Sequence, residues 1–132
     1  MMRKKVLIIE DNEDNLLLTK FVLEMYTDWK ILATSDASEG INIAKLQQPN
    51  VILLDYVMPK MNGLTVCQLL HDNPNTRTIS IIFVTAMIDP KTRSFIKNTH
   101  AVGVIEKPFD VNTLTDRIQK MCQWKTPSVI KG

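Results

Sequence analysis

The residues best equipped for chemistry in this sequence each stand directly after a short apolar run. Val6–Ile9 runs into Glu10-Asp11, Val51–Leu54 into Asp55, Ile79–Val84 into Thr85-Ala86, and Val102–Ile105 leads to Lys107-Pro108. Three carboxylates gathered in one place repel one another and raise each other's pKa unless positive charge lies among them. Mg²⁺, a hard cation that takes oxygen ligands and keeps several waters, suits Glu10, Asp11 and Asp55. Lys107 supplies a second, fixed positive charge. Carboxylates, Mg²⁺ and a lysine together are equipment for handling a phosphoryl group. A carboxylate oxygen can itself be the nucleophile and become an acyl phosphate. A threonine hydroxyl such as Thr85 can then donate to a phosphoryl oxygen.

Each of these residues also has a plainer reading. Glu10-Asp11 suits a solvated turn into a helix capped by Asn12, and Asp55 suits a strand-end cap. Thr85 suits a β-branched strand position, and Lys107-Pro108 a surface turn. Singly, the plain readings hold. Four strand ends carrying such groups in one chain argue for a site.

The elements that must position them alternate. Val6–Ile9, Ile31–Ala33, Val51–Leu54, Ile79–Val84 and Val102–Ile105 are short, apolar and rich in β-branched residues, as buried strands are. Between them the apolar residues recur at helical spacing: Leu17, Phe21 and Met25; Ile41 and Ala44; Val66, Leu69 and Leu70. After the fifth run come Val111, Leu114, Ile118 and Met121. Asp36 stands three residues before Glu39 as in a capping box, Asp89-Pro90 reads as a helix start, and Asp110 reads as the cap of the last helix. Strict alternation predicts parallel strands with right-handed crossovers and helices on both faces. In such a sheet chemistry gathers at the carboxyl ends of the strands, where these polar residues fall.

Composition narrows the class. The chain has 132 residues, 45% of them hydrophobic and 23% charged, with a net charge of +2. That is the balance of one globular domain, expected over residues 5–124, with 125–132 as a flexible tail or linker stub. So small and scattered a positive charge gives no reason to expect direct contact with nucleic acid or an anionic membrane. The two cysteines, Cys67 and Cys122, have no metal-like spacing. The apolar run after Met1-Met2-Arg3-Lys4-Lys5 is too short for a signal peptide, and no segment is long enough to span a bilayer. The expected compartment is the cytoplasm. With four glycines and an acidic first turn, a Gly-rich phosphate loop is missing. His71 and His100 read as surface residues at helix ends.

These motifs resemble those of the receiver domains of two-component response regulators. The resemblance runs from about Lys5 to Trp124 and rests on Val6–Asn12, on Val51–Pro59 with Met61-Asn62-Gly63, on Val84-Thr85-Ala86, and on Lys107-Pro108-Phe109. It implies an α/β, flavodoxin-like doubly wound five-stranded parallel sheet with helices on both faces. It implies that Asp55 accepts a phosphoryl group from a sensor histidine kinase or histidine phosphotransfer protein. By the same resemblance Mg²⁺ is held by Glu10, Asp11, Asp55 and the backbone carbonyl of Val57. Thr85, Lys107 and the backbone N–H of Ala86 meet the phosphoryl group, and the bond before Pro108 is cis. The output is then a shift in the surface of the fourth helix, fifth strand and fifth helix, which controls a downstream protein target. Such a regulator is not an enzyme in the ordinary sense, although it assists its own phosphorylation and dephosphorylation.

Two departures stand out. Val104 occupies the position, three before Lys107, where many receivers have an aromatic residue. Val57 and Met87, two residues after Asp55 and Thr85, are apolar and cannot orient a hydrolytic water, which predicts a long-lived phosphoryl mark. The alternatives are a phosphorelay intermediate, a receiver excised from a longer regulator, or a binding module that is not phosphorylated. Retention of Glu10, Asp11, Asp55, Thr85 and Lys107 argues against the last.

Overall fold

A computed structural model describes residues 3–86 and 89–124. The expected tail, 125–132, and Met87 lie outside the described residues. Five strands, β1 (Lys5–Ile9), β2 (Lys30–Thr34), β3 (Val51–Leu54), β4 (Ser80–Thr85) and β5 (Gly103–Glu106), alternate with five helices. The helices are α1 (Glu13–Tyr26), α2 (Ala37–Gln47), α3 (Gly63–Asp72), α4 (Pro90–Lys97) and α5 (Leu114–Met121). The strands form one parallel sheet in the order β2-β1-β3-β4-β5. The chain steps outward from β1 to β2, then back past β1 to β3. With right-handed crossovers this reversal puts α1 on one face and α2, α3 and α4 on the other.

Strand pleating divides the core accordingly. Leu7, Ile9, Ile52, Leu54, Ile81 and Phe83 pack with Ala44 of α2, Val66 and Leu70 of α3 and Ile96 of α4. Their neighbours Val6, Ile8, Val51, Leu53, Ile82 and Val84 pack with Val22 and Leu23 of α1 and Leu114 and Ile118 of α5. Period-two alternation thus explains why the central strands read as unbroken apolar runs: both faces are covered. Burial of one such side chain contributes about 1.5–3 kcal/mol. Trp124 closes the end of the second core, edge-on to Trp29 at 5.1 Å with the Lys4 ammonium 4.9 Å from its ring.

Helix starts follow side-chain chemistry. Asn12, Asp36, Asn62 and Asp89 accept from the backbone N–H groups of Asn15, Glu39, Thr65 and Thr92, with Pro90 opening α4. The Glu39 carboxylate does not complete a capping box; it accepts instead from the Thr34 hydroxyl. Asp110 does not cap α5. It accepts from the N–H of Asn112 in a turn, and the helix begins at Leu114 after Thr113, without a side-chain cap.

The largest difference from the sequence reading lies on α1. Its buried residues are Thr19, Val22 and Leu23, while Leu17 (63% exposed), Phe21 (59%) and Met25 (58%) face solvent. Helical spacing identifies a stripe but not which stripe meets the sheet. Among the described residues no helix is long and apolar enough to cross a membrane.

Candidate functional site

The sheet reverses its winding between β1 and β3, and a crevice opens there at the carboxyl ends of the strands. Glu10 and Asp11 follow β1, Asp55 follows β3, Thr85 ends β4, and Lys107 follows β5. Parallel register holds these ends level: Asp55 N–H donates to Ile9 at 3.0 Å, and Lys107 N–H to Thr85 at 3.0 Å. The sheet therefore delivers Glu10, Asp11 and Asp55 to one place, each offering an oxygen within 4.8 Å of the others.

Glu10, Asp55 and Thr85 are buried and Asp11 is half-buried. Lys107 reaches over from β5. Its ammonium pairs with Glu10 and stands 3.5 Å from Asp55. The second Glu10 oxygen accepts from Asn12 N–H at 3.2 Å, and Asp55 accepts from Val57 N–H at 3.3 Å. One lysine does not balance three acids here. Burial, then a carboxyl–carboxyl hydrogen bond and charge repulsion from Glu10, push Asp55 up to about 7; Lys107 and the Val57 N–H pull the other way. The donors are hard oxygens carrying excess negative charge, so the set fits Mg²⁺ and fits softer metals poorly.

The loop after Asp55 depends on Gly63. A Cβ there falls 2.6 Å from the Asp55 carbonyl oxygen and 2.8 Å from the Phe83 ring. Gly63 N–H donates to Tyr56 at 2.8 Å, closing the loop that carries Val57 over the carboxylates. Val57 is half exposed at its rim. The Lys107–Pro108 peptide is cis. Beside Lys107 a cavity of about 300 Å³ is lined by Asn15, Leu18, Ala86, Pro108 and Phe109. The sequence did not reveal that Leu18 of α1 reaches the rim, because only the packed structure brings α1 beside the β5–α5 connection.

The family model described as response regulator receiver domain matches residues 6–119. This chain belongs to the response-regulator receiver family. The receiver is 30% identical over 118 residues to the polar-differentiation response regulator DivK of Brucella anthropi, covering 89% of this chain and 95% of DivK. It is 32% identical over 126 residues to the response regulator PleD of Caulobacter vibrioides, covering 94% of this chain but 27% of PleD, a much longer protein. Solved structures share the fold. Chemotaxis protein CheY4 of Vibrio cholerae superimposes with a TM-score of 0.85 at 22% identity, covering 91% of this receiver and 99% of CheY4. The receiver domain of a sensor histidine kinase from Pseudomonas aeruginosa, crystallised with magnesium coordinated in its active-site cleft, gives a TM-score of 0.83 at 21% identity. That match covers 92% of this receiver and 99% of that domain. The flavodoxin-like doubly wound fold that the resemblance implied, with the parallel sheet that the alternation predicted, is therefore the observed one.

Proposed function

We propose that this receiver is a phosphorylation-dependent switch whose phosphoacceptor is Asp55. The observation that carries this reading is the convergence of Glu10, Asp11, Asp55 and Lys107 at the switch point of the sheet. In the proposed step an Asp55 carboxylate oxygen attacks the phosphorus of a phosphohistidine or a small acyl phosphate. An O–P bond forms, the bond to the donor's leaving nitrogen or oxygen breaks, and that group departs with the bonding pair. Glu10, Asp11, Asp55 and the Val57 carbonyl would hold Mg²⁺, which neutralises charge on the phosphoryl oxygens. Lys107, already paired with Glu10, moves its charge toward the new oxygens. The Thr85 hydroxyl and Ala86 N–H donate to them.

The new group adds nearly two negative charges and three acceptor oxygens. Drawing Thr85 inward pulls on the segment that leads into α4, and so biases the face of α4, β5 and α5. That face suits a protein partner: Phe95 and Val102 are 44% and 45% exposed, and a groove of about 630 Å³ runs between α4 and β5. The phosphodonor is a histidine kinase or phosphotransfer protein. The exposed apolar stripe of α1, continuous through Leu18 with the cavity beside Lys107, suits a helical partner. Amide chemical shifts with and without acetyl phosphate and Mg²⁺ test the switch. Changes spreading from Asp55 into α4, β5 and α5 are expected; changes confined to the loops around the carboxylates would contradict it.

One observation favours a second reading. Val104, in place of an aromatic residue, has no ring to swing when Thr85 moves. A phosphorelay intermediate needs no such output. Transfer of label from this receiver to a histidine phosphotransfer protein, faster than its hydrolysis, would support the relay over the switch.

A further inference from the structure

Away from the carboxylates, the fold brings together a second set of ligand-type side chains. His71 stands in the last turn of α3, and His100 in the connection from α4 to β5. Their imidazoles lie face to face, ring centroids 3.4 Å apart and planes 8° from parallel. His71 is half-buried and His100 is exposed, so the pair opens to solvent. Among the described residues no hydrogen bond engages a ring nitrogen of either histidine. Four ring nitrogens therefore gather at one junction, with no hydrogen-bond partner among the described residues. Cys67, one helical turn before His71, packs under the same junction against Thr99 and the His100 backbone. A surface cavity of about 430 Å³ opens beside His100.

The two clusters in this molecule sort metals by chemistry. Carboxylate oxygens suit Mg²⁺, whereas imidazole nitrogens suit Zn²⁺, Ni²⁺ and Cu²⁺. We propose that His71 and His100 form a site for a borderline divalent transition-metal ion, represented by Zn²⁺, that clips the end of α3 to the α4–β5 connection. Each ring supplies one nitrogen, and water fills the remaining positions. Imidazole lone pairs lie in the ring plane, so the rings must splay from the stack to place both nitrogens about 2.0–2.1 Å from the ion. Exposure of His100 leaves room for that rotation. Cys67 is not a ligand: among the described residues only Glu10, Asp11 and Asp55 have three ligand atoms all within 4.8 Å of one another. A bound ion would restrain the connection that leads into β5 and so the mobility of the α4–β5–α5 face. The site itself stands independently of the switch reading.

The test is calorimetric titration of Zn²⁺ into the whole chain, with millimolar Mg²⁺ present to occupy the carboxylates. One equivalent with micromolar affinity is expected, with shifts in both histidine ring resonances. His71→Gln and His100→Gln should each weaken binding at least tenfold, while Asp11→Asn and Cys67→Ser leave it unchanged. Far-UV circular dichroism and an unchanged thermal midpoint verify that each histidine variant is folded. No binding at micromolar Zn²⁺, binding indifferent to either histidine variant, or binding lost in Asp11→Asn would each overturn the proposal.

Discussion

At Asp55, burial and Glu10 outweigh the attraction of Lys107, 3.5 Å away, and hold the carboxyl at about 7 instead of the ordinary 3.8. In the unfolded chain it ionises near the ordinary value. Between those values the native state binds the extra proton, so without a divalent ion stability falls as pH rises from about 4 to about 7. In chelator at pH 8, Asp55→Asn is therefore expected to be more stable than wild type, by on the order of 2 kcal/mol. Urea denaturation measures this; the advantage should vanish near pH 4, and Mg²⁺ should stabilise wild type more than the variant. A second residue-scale prediction concerns Val57, half exposed at the rim and unable to hold a water by hydrogen bonding. The acyl phosphate should persist after the donor is removed, and Val57→Asn should shorten its lifetime several-fold. The acidic residues were legible as a set because each directly follows a strand-like run. The pairing of Lys107 with Glu10 was not, because 97 residues separate them and only the sheet brings them together.

Among the elements, the β3–α3 loop is the most tightly constrained. At Gly63 any Cβ meets the Asp55 carbonyl oxygen and the Phe83 ring at under 3 Å. Gly63→Ala is expected to cost about 1–3 kcal/mol in thermal or chemical denaturation. It should also slow phosphate uptake, since the same loop carries Val57. The central strands were legible because continuous apolar runs such as Val51–Leu54 are covered on both faces. Helix faces were less so. On α1 the stripe Leu17–Phe21–Met25 has better apolar periodicity than the face that is buried, which includes Thr19. Thr19 is accommodated because its hydroxyl donates to the Asn15 carbonyl at 2.8 Å, so no unpaired polar group enters the core. Asp110 carried a cap signal that its own turn consumed, and α5 starts later.

For the whole molecule, an apolar stripe left outside on α1 marks a surface kept for a partner, not for the core. Phe21→Glu should leave stability within about 0.5 kcal/mol of wild type. It should slow transfer from a phosphohistidine protein at least tenfold and leave uptake from acetyl phosphate unchanged; equal effects on both donors would place the stripe outside partner docking. No sequence pattern announced this division, because which stripe of α1 meets the sheet is decided by how all ten elements pack. The same holds for His71 and His100, which lie on separate segments and meet only in the folded chain. The central claim is that the carboxylate cluster takes a phosphoryl group on Asp55. The most direct measurement is intact and peptide mass after incubation with acetyl phosphate, in Mg²⁺ and in EDTA, for wild type and Asp55→Asn. The account predicts one added phosphoryl group in Mg²⁺ alone, located on Asp55 and absent from the variant. Wild type that takes up none where a control receiver does, or a variant that is phosphorylated equally well, would contradict it.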